Sequence, residues 1–127
     1  MDLTVRVRPS DHGTVVRVGG DFDVEADEAF QEILLHIMRT YSPRLLLDLA
    51  GVASMDCAGL RALLMTRRQA EMRKGSVRLV AASGIVRRVI TVTGMKDIFP
   101  VSGYVEIAPS ANREGFRLVA DVRGVYS

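Results

Sequence analysis

The sequence predicts an α/β domain: a mixed β-sheet of about five strands with helices packed against it. Three observations carry this expectation. Leu3, Val5 and Val7 alternate with Thr4, Arg6 and Arg8, and Val16-Arg17-Val18 repeats the alternation, as in half-buried strands. Leu45-Leu46-Leu47, with Asp48 and Leu49, is an apolar run of the kind found in a parallel strand covered on both faces. Between and after such runs, apolar residues recur at helical spacing, so strands and helices alternate along the chain.

Taken in order, Pro9-Ser10-Asp11-His12-Gly13 is turn chemistry joining the first two strands into a hairpin, and Gly19-Gly20 ends it. Asp23 is a good N-cap for the first helix, a role favoured over a partner contact. Glu25, Asp27 and Glu28 place negative charge in the first turn, and Ala26, Phe30, Ile33, Leu34 and Ile37 form the apolar stripe. Tyr41-Ser42-Pro43 stops that helix.

The stretch Leu45 to Lys74 organises the rest. After its strand, a loop is expected over 50–56. Cys57-Ala58-Gly59-Leu60 then opens a second helix running to about Lys74, with Leu60, Leu63 and Leu64 on one face and Gly75 as its C-terminal cap. Met65 falls off that stripe and is expected to be exposed. A strand, a tight loop and a helix N-terminus leave backbone N–H groups pointing outward, which suits an anion. Val77, Leu79 and Ala81 alternate with Arg78 and Val80 in a further strand. Ser83 caps a third helix with Ile85, Val86, Val89 and Ile90 inside and Gly94 at its end. Met95, Ile98 and Phe99 read as core, with a short strand near Phe99 to Val101. Beyond a loop over 109–115, Phe116, Leu118, Ala120 and Val122 alternate with charged and apolar neighbours as one more strand, able to cover a sheet edge, to pair with a second copy as a homodimer, or to fray.

Composition bounds the function. A chain of 127 residues with 48% hydrophobic and 25% charged residues is long enough for one core. A formal charge of +2 is too small to argue for nucleic acid or an anionic membrane. Met1-Asp2-Leu3 lacks a signal-peptide start, and no apolar stretch is long enough for membrane insertion, so a cytoplasmic location is expected. The single cysteine fits a reducing compartment.

Several chemistries are poorly served. A tyrosine-phosphatase loop needs Arg six positions after its Cys, where Leu63 stands. One Cys and two distant His offer no zinc spacing, and neither glycine-rich phosphate-loop motif occurs. His12, in a turn, and His36, mid-helix, are poor triad members. No cofactor and no catalytic residue is expected.

The ordered motifs carry a resemblance. Gly20-Asp21-Phe22-Asp23, Leu47-Asp48-Leu49, Met55-Asp56-Cys57-Ala58-Gly59-Leu60, Val86-Arg87-Arg88-Val89-Ile90, Thr93-Gly94-Met95 and Ile98-Phe99-Pro100 together resemble the STAS family, in its small anti-sigma-factor-antagonist form. The resemblance spans roughly Leu3 to Val101, dividing the chain into a domain over 1–101 and a C-terminal extension over 102–127. It implies a regulatory binding role rather than a reaction. The partner would be an anti-sigma factor, usually a serine-protein kinase with a GHKL-type ATP site, whose capture frees a sigma factor. The family's kinase phosphorylates a serine after the loop aspartate. Here that position is Cys57, with Ala58 beside it, so binding carries over and switching by phosphorylation at that atom does not. The partner surface implied is Asp23, Ser54, Met55, Asp56, Cys57, Ala58, Gly59, Leu60 and Met65. Cys57 itself reads as a serine isostere, or alternatively as an oxidisable thiol at a helix N-terminus. Rival roles on the same fold are an interaction subunit of a signalling or lipid-transport assembly, and a small-ligand-binding module.

Overall fold

Alternating residues of the first hairpin sort onto opposite faces of one sheet, and the rest of the chain is built on that division. The computed structural model describes residues 2–22, 27–100 and 115–122. Within them the elements are β1 (Leu3–Ser10), β2 (Gly13–Phe22), α1 (Asp27–Thr40), β3 (Arg44–Met55), α2 (Cys57–Met72), β4 (Ser76–Ala82), α3 (Gly84–Val92) and β5 (Arg117–Val122). The sheet order is β4-β3-β2-β1-β5. β1 is antiparallel to both neighbours, whereas β2–β3 and β3–β4 are parallel, giving the expected mixed sheet.

One face is the main core. Leu3, Val5, Val7, Val16, Val18, Leu45, Leu47, Leu49 and Leu79 are buried there against Phe30, Leu34 and Ile37 of α1, Leu60 and Leu63 of α2, and Val86 and Ile90 of α3. Phe22 and Phe30 meet with ring centroids 4.5 Å apart at 53°, a tilted contact worth about 1 kcal/mol beyond its burial. The opposite face carries a smaller cluster, Val15, Leu46 and Val80, with Phe116 packed against it. Among the described residues its covering is side chains rather than a helix: Phe116 lies under the guanidiniums of Arg17 and Arg8, whose Cζ atoms are 4.1 and 4.9 Å from the ring centroid. Arg17 also pairs with Asp48 at 3.3 Å.

Several boundaries differ from expectation, each for a physical reason. The expected loop over 50–56 is strand as far as Met55, and β2 continues through Gly19-Gly20 to Phe22. The two ends hold each other: Gly51 pairs with Gly19, Val52 with Gly20, Ser54 with Asp21 and Met55 with Phe22, and register shifts absorb the glycines. Pairing across the sheet overrides weak local strand preference. α2 ends at Met72, and Lys74 rather than Gly75 takes the left-handed conformation, with φ 62°. The Gly75 N–H donates to the Ala70 carbonyl at 2.7 Å and Lys74 N–H to Glu71 at 3.0 Å, the paired bonds of a Schellman end. Gly75 is needed for space, since a Cβ there would collide with the Pro43 carbonyl.

In α3, Ser83 caps as expected, its Oγ accepting from Val86 N–H, but Ile85 is 42% exposed. Val86 and Ile90, one turn apart, take the inward line, and Ile85 stands about 100° away from Val86 around the helix. Phe99 is core, but Phe99 and Pro100 are not strand. The N–H groups of Ile98 and Phe99 both turn back to the Met95 carbonyl, leaving them unavailable to a ladder. Val101 lies outside the described residues, as do Asp23, Glu25 and Ala26, so the cap and stripe roles expected of those residues fall there too. The fifth strand is β5, along β1, and a register shift between Val5 and Arg6 breaks its expected alternation. Phe116 joins the outer cluster and Leu118, opposite Arg6, is half exposed, while Val119 and Ala120 pack on the main core.

Candidate functional site

The corner where β3 hands over to α2 is built by one aspartate. Asp56 has extended backbone angles, and its Oδ1 accepts from Ala58 N–H at 2.9 Å and Gly59 N–H at 3.1 Å, satisfying two of the helix's free N-terminal donors. Its carbonyl accepts the first helical bond, from Leu60 N–H at 3.2 Å. Asp56 therefore fixes the turn, and its backbone N–H reaches the Phe22 carbonyl at 3.4 Å, holding the turn to the end of β2.

Gly59 completes this junction. A Cβ there would sit 2.5 Å from the Phe22 carbonyl oxygen and 2.9 Å from Met55 Cγ. Small residues at Ala58 and Gly59 would let another backbone come close, and the backbone that does so at Gly59 is the chain's own β2. Gly59 and Leu60 are buried, so of the expected surface they support the corner from inside. Ser54, Asp56 and Cys57 are exposed, and Met55 and Ala58 half-buried. Cys57, a free thiol, is the first residue of α2 and faces outward. Asp23 lies outside the described residues.

Met65 is half-buried rather than fully exposed. It belongs to a line along the outer side of α2 that begins at Cys57 and passes Arg61, Met65 and Arg68 to Met72, which is 68% exposed. Steps of three, four and seven residues keep this line within a quarter-turn or so of the helix. Thr66, by contrast, is buried, and its hydroxyl donates to the Ala62 carbonyl at 2.8 Å.

A second carboxylate stands beside the corner and was not singled out from the sequence. Asp21 Oδ1 accepts the Ser54 hydroxyl at 2.7 Å, and Oδ2 accepts the Asp2 backbone N–H at 3.2 Å. The Ser54 hydroxyl first, and the Asp2 N–H next, hold the Asp21 carboxyl below its ordinary value. The two residues stand 33 positions apart, and the reading of 50–56 as loop leaves no local signal that joins them. Among the described residues no three His, Cys, Asp or Glu side chains gather as a metal site, and no helix is long and apolar enough to cross a membrane.

Comparison with known proteins agrees with this architecture. The family model described as "Mlab, STAS domain" matches residues 5–101. An anti-sigma-B factor antagonist of Staphylococcus epidermidis is 25% identical over 107 residues, covering 84% of this chain and 99% of that protein. The crystal structure of an anti-sigma factor antagonist from Mycobacterium paratuberculosis superposes with a TM-score of 0.69 at 28% identity, over 83% of this chain and 87% of that one. The Bacillus cell fate determinant SpoIIAA, in its phosphorylated form, shares the fold with a TM-score of 0.58 at 20% identity, over 78% and 91% of the two chains. With a five-stranded mixed sheet, three helices on its main core and an aspartate-capped turn opening the second helix, the chain belongs to the STAS domain family.

Proposed function

We propose that this protein is a non-enzymatic anti-sigma factor antagonist of the cytoplasm, which binds an anti-sigma factor and thereby frees a sigma factor. The observation that carries the reading is the exposed Asp56–Cys57 turn at the start of α2, in a chain matched along almost the full length of an anti-sigma-B factor antagonist. The anti-sigma factor is a serine-protein kinase with a GHKL-type ATP site. It docks over Ser54 to Ala58 and along the outer side of α2, where Met65 and Met72 supply apolar contact and Arg61 and Arg68 supply charge. Gly59 and Leu60 hold that surface in shape from behind, and the exposed Asp56 caps its helix.

Cys57 stands where the family carries its phosphoacceptor serine. A thiol in place of the hydroxyl leaves the binding surface in its unmodified, binding-competent form when such a kinase acts. A phosphate at that atom would put about −1.5 to −2 charges into the contact, and this chain does not offer the oxygen that takes it.

The test is affinity capture from the native cytosol, followed by titration calorimetry with the protein identified. Recovery of a GHKL-type anti-sigma factor that binds the purified chain, and loses affinity on Met65→Glu, is the expected outcome. Recovery of transporter subunits or of a larger signalling assembly in its place selects the rival role on this fold.

A further inference from the structure

The opposite end of β3 carries a second feature, unconnected with the partner surface. A cavity of about 490 Å³ opens on the sheet face away from the main core, lined by His12, Arg44, Leu46, Ser76 and Arg78. The register explains the convergence. Arg44 pairs with Ser76 and Leu46 with Arg78 across the parallel β3–β4 ladder, so these four form a two-by-two block on one face. Neighbouring strands lie about 4.8 Å apart and residues two apart in a strand about 6.6 Å, placing the two arginine backbones about 8 Å from each other on the diagonal. Side chains as long as arginine reach a common point from there. The turn between β1 and β2 brings His12 to the same rim, and buried Leu46 forms an apolar floor.

None of the lining side chains is a carboxylate. The nearest acidic neighbour in sequence, Asp11, lines the adjoining cavity, which it shares with Arg44. Four arginines are held by other side chains: Arg17 by Asp48, Arg67 by Glu71, Arg73 by Gln69, and Arg117 by Tyr41. The guanidiniums of Arg44 and Arg78 have no hydrogen-bond or ion-pair partner among the described residues. Two unpaired planar forks, a hydroxyl and an imidazole around an apolar floor make a receptor for a compact anion, since guanidinium matches the paired oxygens of phosphate or carboxylate. The cavity is of the size that takes a small molecule.

We infer that this cavity is a binding site for a small organic anion, a phosphate ester or a polycarboxylate, held by Arg44 and Arg78 with Ser76 and His12. β3 has 12 residues, so the site stands roughly 30 Å along the strand from the Asp56 turn, and its ligand does not compete for the docking surface.

The test uses two-dimensional amide NMR of the full chain with sodium phosphate and, separately, sodium citrate, each against sodium chloride of equal ionic strength. Saturable shifts centred on His12, Arg44 to Leu46 and Ser76 to Arg78 are expected with at least one of the two anions. A response to citrate alone assigns a polycarboxylate, and one to phosphate assigns a phosphate ester. Arg44→Ala with Arg78→Ala lowers that affinity by about tenfold or more, because both forks are lost. Ser76→Asp, which places a carboxylate in the cavity, weakens it with the arginines intact, and Arg6→Ala leaves it unchanged. Shifts equal to those in chloride, shifts centred on the start of α2, or affinity unaffected by both cavity variants overturn the assignment.

Discussion

Asp21 and Ser54 join the last residues of β2 and β3 through a 2.7 Å hydrogen bond in which the serine hydroxyl donates to the carboxylate. The bond stabilises the charged carboxylate, so the Asp21 carboxyl titrates below its ordinary value of 3.8. The sign follows from linkage: a group whose folded pKa is depressed contributes stability above its unfolded pKa and loses it as pH falls through the folded value. Asp21 is solvent-accessible, so the contribution is small and acts only in acid. Side-chain carbon NMR should place the Asp21 midpoint below 3.8, and Ser54→Ala should move it upward. An unchanged midpoint in Ser54→Ala would assign the shift to the Asp2 N–H alone.

Gly59 is predicted to be the least replaceable residue of the corner. Gly59→Ala forces a Cβ to 2.5 Å from the Phe22 carbonyl oxygen, and backbone cannot step aside as a flexible side chain does. The expected loss of stability is about 2 kcal/mol, within the range for overpacking at a rigid site. Urea denaturation measures it. A loss below about 0.5 kcal/mol, the size of an ordinary surface substitution, would show that α2 slides away from β2 without cost.

Much of this fold was legible because the sheet has two unlike faces. Leu3-Val5-Val7 and Val16-Val18 alternate since helices cover one face and arginines clothe the other. What stayed hidden was decided across the sheet. Ala50 to Ser54 looks like loop, yet it is strand because Gly19 to Asp21 lies alongside. The alternation of β5 reads correctly as a strand but wrongly as a single face, since the register shift beside Val5 and Arg6 leaves no local trace. At the site, the motif order located the Asp56 turn. It could not tell surface from support: Gly59 and Leu60 belong to the motif because α2 rests on β2 there, and Asp21 with Ser54 is joined only in three dimensions.

The C-terminal strand should contribute to stability through both faces. Phe116 covers the outer cluster between Arg8 and Arg17, and β5 completes the edge of β1. Deleting Ala111 to Ser127 is expected to lower the melting temperature or the solubility, as it bares a strand edge and apolar surface together. Phe116→Ala alone should cost about 1–2 kcal/mol from lost apolar burial and cation–π contact. A truncated chain that melts and remains soluble as the full chain does would make the strand dispensable.

Met65→Glu should leave the fold intact and weaken partner binding. The side chain is half-buried on the outer line of α2, between Arg61 and Arg68, so a carboxylate there meets solvent in the free protein. In a desolvated contact it should cost about 1 kcal/mol or more. Met72→Glu, farther from the Asp56 turn, provides the gradient: a smaller effect places the centre of the contact at the start of α2. Titration calorimetry showing equal affinity for wild type and Met65→Glu would remove Met65 from the surface.

The last prediction concerns Cys57. It is exposed at the first turn of α2, and on the proposed function it presents sulfur in place of a phosphorylatable oxygen. Incubation with the cognate kinase and ATP should leave Cys57 unmodified and the complex intact, while Cys57→Ser should restore an acceptor. Cys57→Asp should fold, because a carboxylate at a helix N-terminus gains about 0.3–1 kcal/mol. Facing a partner with no cation to meet it, that charge should still lower affinity several-fold. A redox role separates cleanly from this one. If the thiol is a sensor, mild peroxide should abolish partner binding in wild type but not in Cys57→Ser, and reductant should restore it. Thr66 offers no bypass, since its hydroxyl is buried and bonded to the Ala62 carbonyl. Ser54 is exposed but already donates to Asp21, and a phosphate there would face that carboxylate at close range. Stoichiometric kinase-dependent phosphate on Ser54 by mass spectrometry, with release of the partner, would therefore defeat the view that this protein stays in its binding form.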